Sequence, residues 1–419
     1  MGYSKRTIVG ISWVTAFRAI SRVIAFVRVI ILARLLAPSQ FGIFGIASMA
    51  LTLLEILTET GINIFLVQEK KDIDSYVNDA WLVSIIRGFL ITCLIIITAP
   101  FITPFFKIQE SLGVILLISM VPLIKGFINP SIVKFQKELQ FGREFYFRMA
   151  IFVFDSLVSV IVSLATHSVL GLVAGLISGS ILEVILSFIL IKPTPKLKFD
   201  WHKINEIFHR GKWVTLYGIF NYAASEGDNI TIGKILGPGA LGIYQMGYTI
   251  ATLPVSEIAD VTNKVTFPVY SRISQDLKRL KKGFYKTLLL VSASSILVGL
   301  AIFLFPRDLF ILIFGQKWES TMTVLRPLAI FGVIRAISGT TSSLFLGVGR
   351  QNYVAGMTFL RLIVLVATIL PFTMSYGIVG ASYAVLLSGI SEVPIVLYYI
   401  WLTFRSSYTT SRDGSGNMK

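Results

Sequence analysis

The sequence predicts an all-α polytopic membrane protein of about twelve transmembrane helices, built as two six-helix lobes related by a parallel pseudo-two-fold repeat. Three observations carry that prediction. The 419 residues are 54% hydrophobic and only 14% charged, with a mean hydropathy of +0.77, whereas soluble domains carry about 25% charged residues. Apolar stretches of about 20 residues, enough to cross the hydrocarbon core, recur from one end of the chain to the other. A segment near residue 30 also returns near residue 230.

Taken in order, the apolar runs place spans at 8–34, 41–67, 81–106, 112–133, 146–166, 169–191, 213–236, 240–263, 285–305, 324–346, 353–373 and 379–403. The first is read as a span rather than a cleaved signal, because Arg18, Arg22 and Arg28 interrupt it and no small-residue cleavage site follows. No polar stretch between spans is long enough for an independent domain. The expected organisation is an N-terminal six-helix lobe (1–191), a basic cytoplasmic linker (192–212), a C-terminal six-helix lobe (213–405) and a polar cytoplasmic tail (406–419).

Lysine and arginine orient the chain. The loops on the N-terminal side hold 25 of the 38 basic residues, and those on the opposite side hold three, Lys107, Arg307 and Lys317. Basic loops stay in the cytoplasm, so both termini are expected there, in a multi-pass protein of the plasma (inner) membrane. The net charge of +16 is then an orientation signal that brings contact with anionic membrane lipids. Nucleic acid is not an expected partner, since no aromatic-basic module accompanies the charge.

The repeat is visible without gaps. "IILARLLAPSQFGIFGIASMALTL" from Ile30 matches "ITIGKILGPGALGIYQMGYTIATL" from Ile230 at seven positions, including Leu36/Leu236, Pro38/Pro238 and Gly42/Gly242, with Arg34 opposite Lys234. The first copy joins spans one and two, and the second joins spans seven and eight. An even number of spans separates them, so both point the same way through the bilayer. Two lobes with a parallel repeat suggest alternating access about a site near the midplane.

Charges inside spans are costly and line cavities or pair with one another. Arg18 and Arg22 share one face of the first span. Glu55 and Glu59 on the antiparallel second span lie at the same depth, at 1.5 Å per residue. Two readings stay open: salt bridges between neighbouring helices, or arginines facing a cavity where their planar, permanently charged forks bind phosphate. Arg87, Lys125, Arg335 and Arg361 add basic groups on other spans, favouring an anionic substrate over a cationic drug. The substrate-binding candidates are Arg18, Arg22, Arg87, Arg335 and Arg361. The charge-partner or ion-coupling candidates are Glu55, Glu59, Asp155, Glu183, Glu226 and Asp228, with coupling to H+ or Na+ an open alternative.

Catalysis is not expected. The three histidines are scattered, Cys93 is the lone cysteine, and neither a phosphate-cradling glycine loop nor a nucleophile elbow occurs. No cofactor or metal is implied. A polymerase or ligase would need a large polar outer loop, and the longest here, "PRDLFILIFGQKWEST", is mostly apolar.

The ordered set "LARLLAPSQFGIFG", "TGINIFLVQEKK", "FQKELQFGREF", "IGKILGPGALGIYQMGYTIATLPVSEIADVTNKVTFPVYSRISQD" and "FGQKWESTMTVLRPLAIFG" resembles the polysaccharide transporter (Wzx-type) flippases of the multidrug/oligosaccharidyl-lipid/polysaccharide exporter superfamily. The resemblance implies two six-helix lobes around a cationic central cavity. It also implies transfer of a polyprenyl-pyrophosphate-linked oligosaccharide from the cytoplasmic to the outer leaflet, with the glycan assembly machinery as a further partner. Many relatives carry two more spans. An ion-coupled multidrug or other small-molecule exporter of the same superfamily is the alternative.

Overall fold

The computed structural model describes residues 3–58, 76–196, 218–219 and 222–413, and no strand occurs among them. The chain divides into two compact units, residues 1–242 and 243–419. In both, large apolar side chains such as Phe101, Leu289 and Leu297 stand on the outside, the pattern of a protein whose solvent is hydrocarbon.

The first unit contains α1 (Tyr3–Leu35), α2 (Pro38–Leu57), α3 (Val77–Phe105), α4 (Leu112–Ile118), α5 (Met120–Gly126), α6 (Lys134–Lys137), α7 (Phe141–Thr166), α8 (Leu170–Leu190) and α9 (222–236). Helix α7 packs along α8 and α1, and α3 packs along α5. The break between α1 and α2 is tight, because Pro38 opens α2, where its missing N–H is not needed. The Gln40 side chain then accepts from the Ala37 amide at 2.9 Å and donates to the His167 carbonyl at 3.1 Å.

The second copy of this hairpin has Gly237 at φ +82, followed by Pro238 at the start of α10 (Pro238–Arg272). The two copies meet. A Cβ on Gly42 would lie 1.8 Å from the Pro238 carbonyl oxygen, and one on Gly242 would lie 2.0 Å from that of Pro38. Only glycine permits this approach, and both copies carry it.

The expected straight span at 112–133 is bent by 74° instead. Asn129 is extended and Pro130 follows it, which stops the helix. The buried Asn129 side chain accepts from the Ser131 amide and donates to the carbonyls of Ser187, Ile191 and Pro193. The bend is thereby tied to the end of α8.

The second unit contains the rest of α10, α11 (Leu277–Phe303), α12 (Arg307–Phe314), α13 (Met322–Gly347) and α14 (Gln351–Asp413). Helix α13 packs against both α11 and α14. The boundary expected between the last two spans is a kink at Gly377, at φ +61 and ψ −140, rather than a loop. A core of Tyr270, Phe284, Phe345 and Met357 holds the unit together, with Tyr353 stacked on Tyr399 at 4.1 Å beside it.

Candidate functional site

The main candidate site is a cavity of about 340 Å³ within the first unit, lined by Glu55, Arg87, Lys125, Gln136, Arg148 and Glu183 among others. Each charge arrives on a different element: α2, α3, α5, α7 and α8. Two glycines bring the basic groups together. A Cβ on Gly88 would lie 2.4 Å from the Pro122 carbonyl oxygen, and one on Gly126 would lie 2.9 Å from that of Ser84. Helices α3 and α5 therefore touch backbone to backbone, and Arg87 and Lys125, each adjacent to one of these glycines, reach one cavity.

Arg87 also closes the end of α2, where carbonyls lack helical partners. Its Nη2 donates to the Glu55 carbonyl at 2.6 Å and its Nε to Thr58 Oγ1 at 3.3 Å. Arg148 Nε pairs with Glu144 Oε1 at 2.8 Å, and Gln136 donates to the same oxygen at 3.1 Å. Lys125 and Glu183 act on one another electrostatically, but among the described residues no direct hydrogen bond or ion pair joins them. The cavity thus offers ammonium and guanidinium donors to an anion and keeps two carboxylates in its wall.

The cavity lies near one end of its helices. Arg148 and Glu183 are each seven residues in from the ends of α7 and α8, and Arg87 is ten residues into α3. At 1.5 Å per residue that is roughly 10–15 Å of depth.

The other sequence candidates are distributed differently. Arg18 is half-buried and Arg22 exposed on α1. Among the described residues no Arg18–Glu55 ion pair forms, and Glu59 lies outside the described residues. Asp155 instead pairs with Arg28, whose Nη1 is 3.0 Å from its Oδ2 and 3.5 Å from Ser156 Oγ, with the guanidinium 5.7 Å from the Phe152 ring centre. Glu226 accepts from the Asn229 side chain at 2.8 Å, and the buried Asp228 accepts from the Asn229 amide at 2.9 Å, so both sit in one turn of α9.

Arg335 and Arg361 belong to a separate cluster in the second unit. Arg361 Nη1 is 4.0 Å from Oε2 of the buried Glu392, and Arg335 acts electrostatically on both. Arg361 and Glu392 stand on either side of the Gly377 kink in α14, while Arg335 stands on α13.

Sequence reasoning missed Arg28 and Arg148 as site residues. Arg28 stands among several charges in the first predicted span, and Arg148 lies just inside the span predicted at 146–166. The signal that could have found Arg148 is the clustering of basic residues around the Pro130 break.

Known proteins align with this architecture. A family model described as polysaccharide biosynthesis protein matches residues 31–323. The chain is 25% identical over 409 residues to an uncharacterized membrane protein in the cps region of Klebsiella pneumoniae, covering 96% of this chain and 83% of that one. It is 22% identical over 415 residues to the lipopolysaccharide biosynthesis protein WzxC of Escherichia coli strain K12, covering 96% and 82%. Among solved structures, lipid II flippase MurJ in an inward closed conformation superposes with a TM-score of 0.74 at 15% identity, covering 93% of this chain and 88% of that one. An inward-facing multidrug resistance MATE family transporter superposes with 0.71 at 16% identity, covering 94% and 96%. The chain belongs to the polysaccharide biosynthesis protein family and is a multi-pass membrane protein with the helical fold of the MurJ and MATE structures.

Proposed function

We propose that this protein translocates a polyprenyl-pyrophosphate-linked oligosaccharide from the cytoplasmic to the outer leaflet by alternating access, and that the charged cavity of the first unit receives the phosphate group. The observation that carries this reading is the convergence of Arg87, Lys125 and Arg148 on one cavity of about 340 Å³. That is the lower end of the size range of small-ligand sites, about 300–1,000 Å³. Guanidinium forks give bidentate bonds to phosphate, and a lysine adds a mobile point charge. The basic loops support cytoplasmic termini and a plasma-membrane location, and the glycan assembly machinery would take the product.

Glu55 and Glu183 in the same wall support a second reading, in which H+ or Na+ is coupled to transport of a lipid-linked glycan or another small molecule. Purified protein in liposomes carrying a fluorescent lipid-linked saccharide separates the readings. The first predicts movement of that lipid to the outer leaflet, with Arg87→Gln and Lys125→Gln each slowing it at least tenfold. Transport of cationic drugs with no movement of the lipid would replace it, and dependence of the rate on an imposed H+ or Na+ gradient decides coupling.

A further inference from the structure

A second cavity, of about 410 Å³, adjoins the charged one in the first unit and is lined by Trp13, Phe17, Phe141 and Phe145, together with Gln136, Glu144 and Arg148. Gln136 and Arg148 line both cavities. We propose that the aromatic groove between α1 and α7 holds the hydrocarbon chain of a polyprenyl-phosphate lipid, with its phosphate on Arg148 at the mouth of the charged cavity. This rests on the substrate class proposed above and adds where the lipid part is held.

The groove is built as a wall of rings. Trp13 and Phe145 lie 5.1 Å apart and tilted, Phe17 meets Phe145 edge-on at 6.3 Å, and Trp13 lies 5.8 Å from Tyr146. The indole packs over Gly142, where a Cβ would stand 3.4 Å from the ring, an ordinary van der Waals contact. An unsaturated, methyl-branched chain presents flat alkene faces to such rings.

Charge complementarity selects the occupant. Glu144 engages Arg148 through Nε alone, and among the described residues the two Nη groups have no other partner. They remain available for a phosphate, with Lys125 farther along the charged cavity. A soluble sugar phosphate would leave the groove empty, and a neutral hydrocarbon would leave the donors empty. A lipid with an anionic head uses both. The position also fits, since residues 141–148 form the first two turns of α7, near the membrane surface where a lipid phosphate resides. Aromatic side chains at this level also serve as general interfacial anchors, so bulk phospholipid is the competing occupant.

The experiment uses the full-length protein in nanodiscs with a polyprenyl monophosphate carrying a photoreactive diazirine in its first isoprene units. Crosslinks mapped by peptide mass spectrometry are expected on α1 and the start of α7, undiminished by a hundredfold excess of phosphatidylglycerol. Arg148→Gln and the pair Phe17→Ala with Phe145→Leu should each weaken binding at least tenfold while gel filtration stays unchanged. Crosslinks elsewhere, displacement by phosphatidylglycerol, or variants that bind like the wild type would overturn the groove assignment. Mapping on the wild type decides the matter even if a variant fails to fold. If the variants bind normally while the wild type still moves the lipid-linked saccharide, the groove assignment fails and the proposed function stands. If binding maps to the groove but the wild type moves no such lipid, the proposed function fails instead.

Discussion

Gly42 and Gly242 stand in the same relation to each other's hairpin: the Cβ that each lacks would fall within 2.0 Å of a carbonyl oxygen, that of Pro238 for Gly42 and that of Pro38 for Gly242. A contact in which equivalent residues of two repeats exchange the same interaction is self-complementary, like an isologous interface within one chain. Because the clash would be with backbone, no side-chain rotation relieves it.

Gly42→Ala should therefore force the two hairpins apart, at an overpacking cost of about 1–3 kcal/mol. Gly242→Ala should behave alike. The double variant is expected to cost less than the sum of the singles, because one separation relieves both clashes. Thermal melting of the four proteins in detergent provides the cycle, and strict additivity would mean that the two glycines respond independently.

Asn129 should be indispensable to the charged cavity although it lines none of it. Its amide satisfies three backbone carbonyls around the end of α8, and an orphaned buried polar group costs about 1–3 kcal/mol. Asn129→Ala is expected to lower the melting midpoint and, under the proposed function, to slow movement of the lipid-linked saccharide in the liposome assay. Asn129→Asp keeps the acceptor for the Ser131 amide but loses the donors, so it should be nearly as damaging.

The Arg28–Asp155 pair predicts a cycle of its own. Asp155→Leu leaves a guanidinium without its counter-charge among apolar neighbours, and should cost on the order of 1–3 kcal/mol as a lost charge-assisted bond. The double variant Arg28→Met with Asp155→Leu should recover part of that loss, since removing both charges ends the desolvation problem. If Asp155 serves ion coupling rather than structure, the double variant will be stable but will have lost its response to an ion gradient.

In the second unit, Glu392 stands near two arginines. Glu392→Gln leaves Arg335 and Arg361 facing like charge without compensation, and is expected to destabilise the protein by roughly 1–3 kcal/mol. Adding Arg335→Gln should restore most of it. The measurement is thermal unfolding at low and high salt, and a deficit that salt does not diminish would argue against charge repulsion as the cause.

Most of the helices were legible in the sequence because hydropathy and helix-breaking residues are local properties. Pro38, Pro238 and Gly377 mark breaks that follow from their own backbone chemistry. The bend at Asn129 was not legible, although Pro130 was in plain view, because an apolar run of the right length reads as one straight span. Only the carbonyls of Ser187, Ile191 and Pro193, some sixty residues away, make the bend stable.

The charged residues divide in the same way. The sequence by itself determined that arginines and glutamates lie within spans and that a Pro-containing hairpin with a glycine four residues on occurs twice. Depth along a helix follows from counting residues, which puts Arg18 and Glu55 at one expected level and Arg87 and Glu183 within predicted spans. Tertiary structure alone decided that Arg28 takes Asp155, that Arg361 takes Glu392, and that Arg87, Lys125 and Arg148 share a cavity. The physical reason is that pairing depends on which helices are neighbours and how each is rotated about its axis. For the cavity, those are set by backbone contacts at Gly88 and Gly126 and by the Asn129 anchor, none of which hydropathy records.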